Sequence, residues 1–177
     1  MDLPQADYTD TASEPLELVE AILTDEGLTF ERTPDGEVLF SLAGLWKSYD
    51  MWFSCRPEGE CLQLCSSLDL RFDPPRFPAI HQLLSLVNQR VWFGHFEIYE
   101  DEDGVREEGR LPANIVFRHT LLSSPMERPG QVQTAHMINV AAEAVDRFYP
   151  AFDFLFKGAK TADDALEACL FETVGEA

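Results

Sequence analysis

Basic residues are scarce in this chain: 13 lysines and arginines stand against 32 aspartates and glutamates in 177 residues, a formal net charge of −19. Phosphate backbones and anionic lipid repel a surface of that sign, so neither nucleic acid nor a membrane is an expected partner. Long apolar runs are missing as well. Nothing approaches the roughly 20 residues of a membrane-spanning helix. The opening MDLPQADYTDTASEP has neither the basic nor the apolar region of a secretion signal. The four cysteines, Cys55, Cys61, Cys65 and Cys169, do not make a secreted disulfide framework. Together these absences predict a reduced, cytoplasmic protein. There is also no GxSxG, no HExxH and no glycine-rich phosphate loop. No serine or aspartate is set beside a histidine in a recognisable way. The expectation is a protein that is not an enzyme and carries no cofactor or metal.

What the chain does contain is enough apolar sequence for one domain that buries roughly two-thirds of its unfolded surface. Residues 1–13 are polar and acidic and predict a disordered tail, leaving 14–177 as the single domain. Leu16, Val19, Ile22 and Leu23 recur at helical spacing behind a Ser13 cap, and Gly27 stops the run. Four strand-like runs follow. Leu28–Arg32 and Val38–Leu42 flank Pro34-Asp35-Gly36, and Tyr49–Cys55 and Cys61–Ser66 flank Pro57-Glu58-Gly59, so two antiparallel hairpins are predicted. The AGLWKS link places Trp46 at a sheet edge or corner.

The stretch from Ile80 to Leu122 organises the rest. Ile80, Leu83, Leu84, Val87 and Val91 make the buried stripe of a helix that feeds into WFGHFEIY, an acidic EDEDG turn and the returning NIVFRHTLL. These two strands are expected to form the sheet's central pair. From Val132 an apolar face continues to Phe152 as a long helix, which Pro150 should kink or end by removing a backbone donor. Thr161 and Asp164 form a capping box for a last helix through Leu166, Cys169, Leu170 and Val174. The order is α-β-β-β-β-α-β-β-α-α, an α+β fold with an antiparallel sheet of about five or six strands.

Candidate chemistry is thin. If the second turn pairs Arg56 with Glu60, Cys55 and Cys61 lie opposite each other, and a redox pair is conceivable. Cys61 and Cys65 share a face but stand about 13 Å apart at about 3.3 Å per residue, so three cysteines do not form one zinc site. The histidines His81, His95, His119 and His136 have no ligand spacing. His95 and His119 sit on strands expected to pair and could be neighbours, and the phase of His119 with Ile115 and Phe117 reads as a hydrogen-bonded core histidine. The EDEDGVREE loop lacks the acids at Tyr99 and Arg110 that a calcium loop would need.

Asn88, Gly94 and Phe96 in NQRVWFGHF, Phe117 and Arg118 in VFRHTLL, and the closing FYPAFDFLFKGAKTADDALEACLFETVGEA resemble the YbjN family, described as bacterial sensory transduction regulators. The resemblance runs from about Leu16 to the C-terminus. It implies a fold similar to type III secretion chaperones, whose sheet and flanking helices commonly hold a partner polypeptide and whose subunits commonly dimerise. It implies no catalytic residues. On physical grounds Asn88 is expected to cap its helix in a left-handed conformation, Gly94 to admit a packed helix against the strand, and Arg118 to pair with a carboxylate on the sheet.

The function expected is a chaperone-like protein-binding or regulatory module that can pair as a homodimer and offers Trp46 and Trp52 to another protein. Two rivals stay open: an acidic mimic of nucleic acid that occupies a basic protein, and a small-molecule sensor with a pocket between the last helices and the sheet.

Overall fold

The structure is a computed structural model that describes residues 15–55, 61–70, 72, 76–100, 113–122, 129–158 and 161–172. The expected tail, the Pro57-Glu58-Gly59 turn, the EDEDGVREE loop after Glu100 and Val174 lie outside the described residues. Among the described residues four helices and six strands follow one another as α1 (Pro15–Asp25), β1 (Phe30–Arg32), β2 (Val38–Ala43), β3 (Ser48–Cys55), β4 (Cys61–Ser67), α2 (Phe77–Asn88), β5 (His95–Glu100), β6 (Ala113–Leu122), α3 (Gln131–Lys157) and α4 (Ala162–Glu172). The fold is α+β, in the order read from the sequence.

All strand pairs are antiparallel and the sheet order is β1-β2-β3-β4-β6-β5. This corrects one expectation. The hairpin of β5 and β6 is not the central pair, because β6 inserts beside β4 and leaves β5 at the edge. The reason lies in the side chains: Ile115, Val116 and Phe117 are all buried on β6, so that strand needs cover on both faces and both sides. β5 alternates buried Phe96 with half-buried Glu97 and exposed Tyr99 and tolerates an edge.

The register separates two faces. Val38 and Phe40, Tyr49, Met51 and Phe53, Leu62 and Leu64, Phe117 and Phe96 point to one side. There they form a single apolar cluster with Val19 and Leu23 of α1, Ile80, Leu83 and Val87 of α2, Met137, Val145, Phe148 and Phe152 of α3, and Ala165, Leu166 and Cys169 of α4. The helices therefore lie on one face of the sheet. On the other face Cys65 and Val116 are buried outside that cluster, and Trp52 of β3 meets Tyr99 of β5 edge to face at 6.3 Å across the two intervening strands.

Pro150 does not end α3, which runs on to Lys157 and is closed by Gly158. The cost of an internal proline is the carbonyl four residues back, here that of Asp146, which loses its N–H partner. The Trp46 indole supplies a replacement: Nε1 donates to the Asp146 carbonyl at 2.9 Å. The Asp146 carboxylate accepts the Leu45 N–H at 2.8 Å, so the β2–β3 turn is stapled to α3 at the very point where the helix lacks a bond.

Candidate functional site

The residues of NQRVWFGHF and VFRHTLL meet at one corner, where α2 gives way to β5. Asn88 is the last residue of α2, and the residue after it is right-handed, with φ −67°. Asn88 is not among the positive-φ residues either, which corrects the left-handed cap expected for it. Its carboxamide instead reaches eight residues ahead. Phe96 N–H donates to Asn88 Oδ1 at 2.8 Å, and Asn88 Nδ2 donates to the Phe96 carbonyl at 2.9 Å. Ile115 on β6 takes the Leu68 N–H from the β4 side. Alternation along β6 then sends the backbone groups of Phe117 to β4 as well, so those of its partner Phe96 face away from the sheet. The Asn88 side chain thus pairs a residue of the edge strand as a neighbouring strand would.

Gly94 lies just before β5 with φ +73°. A Cβ there would stand 2.6 Å from the Arg118 carbonyl oxygen and 2.6 Å from the Phe117 ring. The close neighbour is strand β6, not a packed helix as expected. With Gly94 drawn in, the Phe96 ring seats against Phe117 at 5.1 Å, Phe152 at 5.4 Å and Phe148 at 6.0 Å between ring centres.

On the open face Arg118 Nε donates to Glu97 at 2.6 Å, its terminal nitrogens reach Glu97 and Gln63, and Gln63 donates to Thr120 at 3.0 Å. His95 approaches the other oxygen of Glu97 at 3.3 Å. The charge of Arg118 is therefore answered within the sheet.

Trp92 and Phe93, which the sequence places at the start of a strand running to Tyr99, instead precede β5 and are the exposed part of this corner. Trp92 is 93% and Phe93 57% exposed. With Gly94, His95, Arg118, His119 and Thr120 they line a hollow of about 330 Å³. Their signal was in the sequence as two large aromatics directly before a glycine, but they do not fit the alternation of a strand that starts only at His95.

Trp46 and Trp52 are not brought together. Trp52 is half-buried on the open face, while Trp46, 49% exposed, turns to the helix side to reach α3. The cysteine pair also fails to form. The β3–β4 register sets Cys55 opposite Leu62, so Cys55 points to the helix side and Cys61, one residue earlier on β4, to the open face. Cys65 is buried against Gln63, and burial pushes its thiol up to about 11, the reverse of an activated thiolate. His95 is opposite Arg118, so His95 and His119 take opposite faces and are not the neighbours expected. Among the described residues no group of three or more histidine, cysteine or acidic side chains could hold a metal ion.

His119 lies against the Phe93 ring at 6.2 Å. Burial, and then the nearby His136, lower its pKa below the ordinary value. A base whose folded pKa is lowered binds its proton more readily when unfolded, so it favours the fold fully above about pH 6.5 and less as pH falls below it. The urea midpoint of His119→Gln should therefore change less between pH 7 and pH 5 than that of the wild type. An identical pH dependence would show that the ring is not desolvated.

Comparison with known proteins agrees with this geometry. The family model described as "Putative bacterial sensory transduction regulator" matches residues 15–154, which take in the whole corner. No curated protein matches the chain. Among solved structures, the crystal structure of YbjN from E. coli is similar in fold, with a TM-score of 0.52 over 89% of this chain and 93% of that one, at 15% identity. Asn88, Gly94, Phe96, Phe117 and Arg118 are thus the internal joints of one corner of a two-layer α+β fold, and the chain that carries them belongs to the YbjN family.

Proposed function

We propose that this chain is a non-enzymatic, chaperone-like module of the bacterial cytoplasm that binds another polypeptide on the open face of its sheet. The observation that supports this reading is the one-sided cover: every helix packs on the same face, and the opposite face presents Leu39, Trp52 and Tyr99. By the register, Glu31 and Asp50 share that face with them, while its Arg118 is occupied by Glu97. An apolar strip bordered by acids suits a partner segment with apolar side chains among lysines or arginines. The space proposed for a small molecule, between the last helices and the sheet, holds the buried side chains of Phe148, Phe152, Leu155 and Leu166.

Pull-down from bacterial lysate tests the reading. Trp52→Ala should lose the partners that the wild type recovers. Trp46→Ala should retain them while unfolding at lower denaturant, because the Trp46 contact is to α3. Equal recovery by wild type and Trp52→Ala would remove the open face from the function. The charge of −19 favours a second reading, in which the protein imitates nucleic acid towards a basic partner. Recovery would then collapse between about 0.05 and 0.5 M salt, whereas contact through the apolar strip persists. Gel filtration of the purified chain separates both from a homodimer that covers the same face.

A further inference from the structure

We infer that the corner beside Gly94 is a strand-addition site, which takes an extended basic segment of a partner protein along the vacated edge of β6. The inference rests on the reading of the chain as a polypeptide binder, but it uses a different surface. β5 pairs with β6 only from Ala113 to Arg118, while β4 continues to pair with β6 as far as Leu122. His119–Leu122 therefore have a strand on one side and, among the described residues, none on the other. The Ile115 carbonyl bonds to β4, so alternation turns the N–H and C=O of Thr120 and Leu122 towards the vacated side. These four backbone groups ask for an extended peptide, because only another backbone presents donors and acceptors at that spacing.

The surroundings set the side chains of the occupant. Trp92, Phe93 and Leu122, the last 87% exposed, offer apolar surface on either side of the edge, and the 330 Å³ hollow lies between Trp92, Phe93 and β6. A large apolar side chain fits the hollow. Lysine or arginine fits its neighbours, for three reasons. The π faces of Trp92 and Phe93 attract a cation. The chain's charge of −19 draws one in. The fixed cation at the site, Arg118, is already neutralised by Glu97. Asn88 makes the contrast on the same edge: it occupies the outward groups of Phe96, and among the described residues no side chain does the same for Thr120.

The test uses the full chain and a labelled synthetic peptide of about ten residues that alternates lysine with valine and phenylalanine, long enough to span the edge. Fluorescence anisotropy should show saturable binding. Thr120→Pro deletes an N–H that faces the vacated side and not β4, and it should weaken binding about tenfold, as should Trp92→Ala, which alters an exposed side chain and keeps the question open if the proline variant fails to fold. Val132→Ala, an exposed apolar position on α3, should bind as the wild type does. A peptide with proline at alternate positions, and one with glutamate for lysine, should fail. The inference is overturned if the parent peptide does not bind, if its proline version binds equally well, or if Trp92→Ala and a folded Thr120→Pro bind undiminished. Loss on Trp52→Ala with both corner variants intact would also overturn it, while leaving the open-face reading in place.

Discussion

Phe96→Ala is expected to lower the unfolding free energy by about 3–5 kcal/mol, the usual cost of deleting a buried aromatic ring. Phe96 is 2% exposed and its ring meets Phe117 from the sheet and both Phe148 and Phe152 from α3. No other described ring joins three aromatic partners from two layers. The contacts on both sides belong to long, regular elements that cannot close over the space, so the cavity term should be near the upper end. At about 2–4 °C per kcal/mol for a chain of this length, the melting temperature should fall by roughly 6–20 °C. Phe96→Leu keeps most of the volume and should cost far less, under about 1.5 kcal/mol. Urea denaturation of the three proteins measures both. A loss below about 1 kcal/mol for the alanine variant would mean that α3 is not seated on β5 in this way.

The core of that prediction could be read from the sequence, and its setting could not. The stripe Ile80, Leu83, Leu84 and Val87 announces α2, and the alternation of Tyr49, Met51 and Phe53 announces β3, because burial on one side leaves a period that depends only on local geometry. Strand order is another matter. The expectation that β5 and β6 would be central treated the hairpin as a unit, although the unbroken Ile115-Val116-Phe117 already marked β6 alone as an interior strand. The joints were harder still. That Pro150 frees the Asp146 carbonyl follows from helix geometry, yet its donor, Trp46, is 100 residues away in the chain. Asn88 looks like a helix cap in sequence because the terminus of α2 is its only local use. Its actual partner is the outer side of Phe96, which exists as an edge only after the sheet has assembled. Trp92 and Phe93 read as the start of the strand for a related reason: a strand period assigns alternate residues to two faces, whereas these two belong to neither, since β5 begins only at His95.

Gly94→Ala should lower the unfolding free energy by about 3 kcal/mol. Two costs add. At φ +73° an L-residue pays roughly 1–2 kcal/mol for its backbone alone. The new methyl also meets the Arg118 carbonyl at 2.6 Å, and that atom belongs to the backbone of an interior strand paired on both sides, while the Phe117 ring at 2.6 Å is fully buried. Neither can withdraw, so the start of β5 must move, with an overpacking cost of about 1–3 kcal/mol. Gly36 provides the control. Its φ is +86° and a Cβ there would touch nothing within 4 Å, so Gly36→Ala pays for conformation only and should cost about 1–2 kcal/mol. The difference between the two variants isolates the close approach. If denaturation finds equal losses, β6 does not press on the turn, and the corner is held by Asn88 and the Phe96 ring alone. If the difference appears, amide exchange at Phe96 should accelerate in Gly94→Ala and not in Gly36→Ala, because the displaced β5 pulls away from the carboxamide that clasps its outer edge.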